Sequence, residues 1–338
     1  MPMNGRERFL AMLGGQPVDR LPLMPITMLF AADQIGAAYG RYALDCRVLV
    51  EAQLRTAEAF GFDHVSAITE TREARDCGAA VRYFENQPYA IDESRARLAD
   101  KRCLAALEAP DPRESPAMRD RLDALRMLRR AVGNTKVVEG WVEGPCGAAA
   151  DLRGINTLML DFYDDPAFVR RLFEFTVTLG LRFGRLQMDA GADVIGVGDP
   201  AASLIGPRFY REFVWPYERR LVAGLQEAGA RVRLHICGKT QTILTDMARL
   251  GCDVVDIDSA VRIAEARAQL GPAQVLLGGI DPVRVLQQGT PADVEEALGA
   301  CWRAAGPAYI VGAGCEIPRG TPPENVLTMA EFARRPSP

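Results

Sequence analysis

The chain has 338 residues, is 48% hydrophobic, 25% charged and 7% aromatic, and carries a formal charge of −4. That is the make-up of a soluble globular protein with ample material for a core. The acidic balance excludes nucleic acid and anionic membrane as main partners, because both select a basic surface. No segment reaches the roughly 18 consecutive apolar residues that span a bilayer.

In chain order, residues 1–20 pattern as an amphipathic helical segment with scattered charges, unlike a secretory signal. Short β-like runs follow at 22–27, 62–68, 136–142, 192–197, 231–236, 252–257, 274–279 and 308–313. Between most of them lie helical patterns with apolar residues at three-and-four spacing, such as 46–60, 166–189 and 207–228. Strands apolar on both faces and separated by helices imply a parallel sheet under helical cover. Eight such units fit an α/β fold of the (β/α)8 TIM-type barrel better than an open doubly wound sheet. The expected organisation is one domain over 1–338, with an inserted, charge-rich excursion at about 86–120. A cytoplasmic location is expected, where the eight cysteines stay reduced and free to bind metal.

Barrel enzymes place their chemistry at the carboxyl ends of the strands. Reactive residue types gather there: Glu70 after "HVSAIT", Glu143 after "VVEGWV", Asp199 after "ADVIGVG", His235 and Cys237 at the end of "RVRLHI", Asp281 after "VLLGGI", and Cys315 after "YIVGAG". His235 and Cys237 stand two apart, on one face of a strand, and Cys315 sits in a Gly-rich turn. One His and two Cys make a three-ligand set of the kind catalytic zinc uses, leaving a fourth position open. Sulfur-rich ligation favours zinc over magnesium or calcium. A His-x-Cys in an apolar run is equally the mark of an ordinary buried strand, and the residues alone leave both readings open. Cys46, Cys252 and Cys301 fall in apolar periodic segments as small core residues, Cys146 in "EGPCGAA" is a further cysteine able to line the mouth, and His64 reads as structural.

Other chemistries thin out by what is missing. The two histidines, His64 and His235, stand near no nucleophile-elbow motif, and neither a Walker loop nor a G-x-G-x-x-G turn is present.

The blocks "GADVIGVGDPAASLIGPRFYREFVWPYERRL", "LHICGKT", "CDVVDIDS", "GGIDPVRVLQQGT" and "GAGCEIPRGTPPENV" resemble the uroporphyrinogen decarboxylase superfamily over nearly the whole chain. Its decarboxylase branch carries an arginine-rich "RQAGRY" segment that grips the acid groups of its substrate; here "MPITMLFAADQIGAAYGRY" holds only Arg41, and Glu70 takes an aspartate's place. The decarboxylase's histidine in "LGHGI" is Cys315, and its "F.KG" stretch is "HICGK". Both differences are similar to the corrinoid-dependent methyltransferase branch, whose H-x-C and distant C bind zinc.

That resemblance implies Zn2+ on His235, Cys237 and Cys315. It implies methyl transfer from methylcob(III)alamin on a corrinoid protein to a small-molecule acceptor, either a thiol of the coenzyme M kind or tetrahydrofolate. Asp199, Glu70 and Glu143 are the candidate catalytic carboxylates, one of them a possible fourth zinc ligand, and Glu316 is an alternative group beside the metal. Transfer in the other direction, onto cob(I)alamin, the decarboxylase reaction, and a non-catalytic corrinoid- or zinc-binding protein remain alternatives. Asp281 reads as a helix cap, and Asn325 as punctuation at a helix entry.

Overall fold

In the computed structural model, which describes residues 2–70 and 72–335, the described residues form nine strands: β1 (His64–Ser66), β2 (Val81–Arg82), β3 (Ala90–Ile91), β4 (Val137–Glu143), β5 (Val194–Gly198), β6 (Arg231–His235), β7 (Val254–Ile257), β8 (Val275–Gly278) and β9 (Tyr309–Ile310). Seven are parallel neighbours in the order β1-β4-β5-β6-β7-β8-β9, and β2 and β3 pair as a separate antiparallel hairpin. Helices such as Cys46–Ala59, Pro116–Val132, Pro166–Asp189, Trp215–Glu227 and Pro291–Ala305 alternate with these strands along the chain.

The run expected at 22–27 is not a strand in its own right, yet it closes the ring. Leu23 bridges Val311 in parallel, with Met24 N–H donating to Val311 O at 2.9 Å and Val311 N–H to Pro22 O at 2.8 Å. On its other side Leu23 O accepts from Asp63 N at 3.0 Å, just before β1. Pro22 and Pro25 lack the N–H a longer ladder needs, which limits the pairing to this one residue. Asp63 also takes Arg8 Nη1 at 2.6 Å and Arg20 Nη2 at 2.8 Å. Those two ion pairs fasten the amino-terminal helix Gly5–Leu13 beside the closure. The segment 86–120 runs through β3 and two short 3-10 turns, Glu93–Arg95 and Lys101–Ala106, before the helix that begins at Pro116.

The barrel interior is polar at its middle. Arg233 of β6 is 1% exposed and donates Nη1 to Glu139 of β4 at 3.1 Å and Nη2 to Asp256 of β7 at 2.6 Å. Glu139 also accepts from Trp141 Nε1 at 3.2 Å, and the Trp141 ring lies under the Arg233 guanidinium, 5.4 Å away. The ring has room because β5 presents glycine inward: a Cβ on Gly196 would lie 2.4 Å from Trp141. Gln187, from the helix Pro166–Asp189, clamps the same strand by bonding both Trp141 N and Trp141 O at 2.8 Å.

Replacing Arg233 by methionine strands two buried carboxylates. Loss of one partner of such a group costs about 3–5 kcal/mol, so urea unfolding of Arg233→Met is expected to show a loss of that size, and a loss below about 1 kcal/mol contradicts the assigned role.

Candidate metal centre

Alternation along β6 sends both Arg233 and His235 into the barrel. Asp256 therefore serves two residues: it pairs with Arg233 and also lies 3.3 Å from His235 Nδ1. Burial works against its charged form, but the Arg233 and His235 charges outweigh burial and hold Asp256 below the usual carboxylate range. With Nδ1 turned to Asp256, His235 presents Nε2 to the mouth, 3.0 Å from Cys237 Sγ.

Past His235 the chain turns sharply at Gly238, whose φ is +86°, and Gly238 N–H donates to Asp258 Oδ2 at 2.9 Å. Cys315 arrives from the loop after β9, and Gly314 is what lets it in. A Cβ on Gly314 would stand 2.4 Å from Ser259 N, so only glycine allows this loop to rest on the turn after β7. Cys315 Sγ comes to 4.0 Å from Cys237 Sγ. Among the described residues His235, Cys237, Asp258 and Cys315 each offer a ligand atom, and these atoms all lie within 4.8 Å of one another. The contact with Cys237, opposed by burial and helped by His235, draws the Cys315 thiol down to about 5, while Cys237 is pushed up. Two sulfurs, one imidazole and one carboxylate form a donor set that suits zinc by softness and number.

The remaining strand-end carboxylates divide. Glu143 ends β4, and its register partner Gly198 is in turn paired with His235, so Glu143 shares a row with the metal donors. Burial, with Glu73, Asp151 and Asp199 nearby, raises Glu143 well above the ordinary range against the pull of Arg72. Glu70 accepts from Tyr39 Oη at 2.5 Å and, among the described residues, its second oxygen has no partner; burial raises it too. Asp199, expected at the mouth, is instead 0% exposed and accepts from Cys146 N at 3.1 Å and Gly147 N at 2.6 Å, the start of helix Pro145–Arg153. Glu316 turns from the metal donors to Met28 N and Leu29 N, at 3.2 and 2.6 Å.

Asp256, Asp258 and Arg72 stand out only in the structure. Asp258 follows β7 as Glu143 closes β4, so the strand-end rule, applied to "CDVVDIDS", reaches it; nothing local marks Asp256 or Arg72. Asp281 caps as its sequence implies, accepting from Val283 N and Arg284 N at 2.9 Å. His64 is buried, and Asn325, beyond punctuation, donates from a buried position to Leu286 O and Gly289 O at 2.8 Å.

A family model described as uroporphyrinogen decarboxylase matches residues 4–336. The chain is 30% identical over 338 residues to methylcobamide:CoM methyltransferase MtbA of Methanosarcina mazei, covering 97% of each. It is 25% identical over 347 residues to uroporphyrinogen decarboxylase of Geobacter metallireducens, covering 97% of this chain and 98% of that one. A solved methyltransferase from Methanosarcina mazei superposes with a TM-score of 0.90 at 22% identity, over 98% of both chains, and shows the same fold.

Behind the mouth, Asp199 and Glu218 form a buried acid pair. Burial lifts Asp199 to about 7 and Glu218 well above the usual range. The folded state keeps protons that an unfolded chain releases near pH 4. The pair's stability is therefore fully present below about pH 4 and is lost as pH rises through about 7. Between about pH 5 and 8, Glu218→Gln is expected to lose less stability in urea titrations than the parent; equal losses contradict the pair's titration.

Proposed function

This chain belongs to the uroporphyrinogen decarboxylase family, and on that premise we propose that it is a zinc-dependent methyltransferase, moving a methyl group from a methylated corrinoid on a partner protein to a small thiol. Identity alone does not choose between the family's chemistries, since relatives of both kinds match at 30% and 25%. The observation that carries the reading is the convergence of His235, Cys237 and Cys315 with Asp258 within 4.8 Å at the barrel mouth. Bound there, zinc would hold an acceptor thiol as its thiolate, since metal coordination removes the thiol proton while sulfur stays nucleophilic.

The chain's own residues prepare that chemistry. Two cysteine thiolates lend charge to the metal position, so the acceptor sulfur keeps its electron density for attack on the methyl group. Asp256 fixes the ring of His235, the kind of support that typically governs metal affinity by ten- to a hundredfold. Asp258 stands where it can complete the ligand set until an acceptor arrives. Glu70 and Glu143, both with pKa raised by burial, complete the strand-end carboxylates around the mouth. Asp199 contributes by seating the helix that begins at Pro145, two residues after Glu143. The decarboxylase reaction is disfavoured because Arg41, the single arginine of the "MPITMLFAADQIGAAYGRY" stretch, is exposed on the helix Tyr39–Leu44. Among the described residues no helix is long and apolar enough to cross a membrane.

Metal analysis of the purified protein is expected to give about one zinc per chain, lost in Cys237→Ser and Cys315→Ser, with methylcobalamin demethylation by thiols lost in parallel. Zinc-free active protein overturns the reading. Asp256→Asn is expected to weaken zinc binding by about ten- to a hundredfold in competition with a chelator; unchanged affinity contradicts the support role.

A further inference from the structure

Beside the metal donors lies a second charged group that the methyl-transfer scheme leaves unused. Arg72, 3% exposed, places Nη2 3.8 Å from Glu143 Oε1 and Nε 3.6 Å from Glu73 Oε2. Those separations are too long for hydrogen bonds. Among the described residues, Nε and Nη1 of Arg72 and Oε2 of Glu73 are all buried without a partner. Nη2 donates to Trp141 O at 3.4 Å. A buried guanidinium with two unmet N–H groups, next to a buried carboxylate with an unmet oxygen, is costly unless something fills the gap.

The position of this group is defined by β-register. Glu143, Gly198 and His235 form one row across β4, β5 and β6. Two strand spacings separate Glu143 from His235, roughly 10 Å of backbone, and the residue between them has no side chain. The Trp141 ring borders the gap, 3.7 Å from where a Cβ on Gly198 would stand, and packs with Ile26, Ile68 and Met28 as a small apolar cluster. A thiol whose sulfur is held at the metal donors can therefore lay two or three carbons along that ring and end at Arg72.

We infer that the acceptor is a thiol bearing both an ammonium and a carboxylate, an amino-acid thiol, with the carboxylate received by Arg72 and the ammonium by Glu143 and Glu73. The inference rests on the thiol-acceptor reading above. Charge decides between classes of thiol. Arg72 alone would suit a purely anionic tail such as a sulfonate, but two carboxylates within 4 Å of it repel one. A purely cationic tail meets Arg72. Only a group carrying both signs satisfies all the open donors and acceptors, and neither charge is then left buried alone.

Calorimetric binding of the methylated products tests this without any methyl transfer. The probes are methionine, 3-(methylthio)propylamine, 4-(methylthio)butanoate and 2-(methylthio)ethanesulfonate, each titrated into the zinc-loaded wild-type protein. Methionine is expected to bind at least about tenfold more tightly than each of the others. Arg72→Gln is expected to erase the preference over the amine and Glu143→Gln the preference over the butanoate. Binding of the sulfonate or either single-charge compound within about threefold of methionine, or no binding of any of the four, overturns the inference. Thiol-dependent demethylation of methylcobalamin by the same preparation, with 2-mercaptoethanol as acceptor, reports separately on whether methyl transfer itself stands.

Discussion

Asp256 is the point on which this site turns. One buried carboxylate answers both Arg233 and His235, two residues apart on β6, and so couples the charge network inside the barrel to the orientation of a metal-binding imidazole. Neither pairing is independent of the other. Without Arg233 the carboxylate is less firmly ionised; without the carboxylate the imidazole ring loses the partner on Nδ1 that directs Nε2 toward Cys237. The polar interior, an odd choice for stability alone because buried ion pairs return little net free energy, makes sense as scaffolding for the mouth above it.

Room at that mouth comes from omission. The inward positions of β5 nearest the mouth are Gly196 and Gly198: the first admits the Trp141 ring, and the second leaves open the space between Glu143 and His235. Gly314 serves the same end by letting the Cys315 loop lie against the turn at Ser259. Charged and sulfur-bearing side chains thus surround a gap bordered by the Trp141 ring, an arrangement suited to a small molecule with a reactive sulfur at one end.

Much of this was legible in the chain itself, where signals are local. Seven of the eight apolar runs became strands of the barrel within a few residues of their expected limits, because each run is short, largely apolar and bounded by turn residues. The eighth contributes one bridge at Leu23, since its prolines remove the donors that pairing requires. His235, Cys237 and Cys315 were visible as strand-end and loop residues, and Asp281 as a cap. Asp199 was not: its role depends on helix Pro145–Arg153 passing overhead, far away in sequence. Asp256 and Arg72 were invisible for the same reason, as Asp256 meets Arg233 and His235 of β6 and Arg72 meets Glu143 of β4, all distant in sequence.

The central claim is that two cysteines and a histidine hold a zinc ion whose remaining position accepts the substrate sulfur. X-ray absorption at the zinc edge addresses it most directly, comparing the purified protein with and without an excess of thiol. The account predicts that the sulfur neighbours at about 2.3 Å rise from two to three on adding thiol. A count that stays at two, or protein that purifies without zinc, contradicts it.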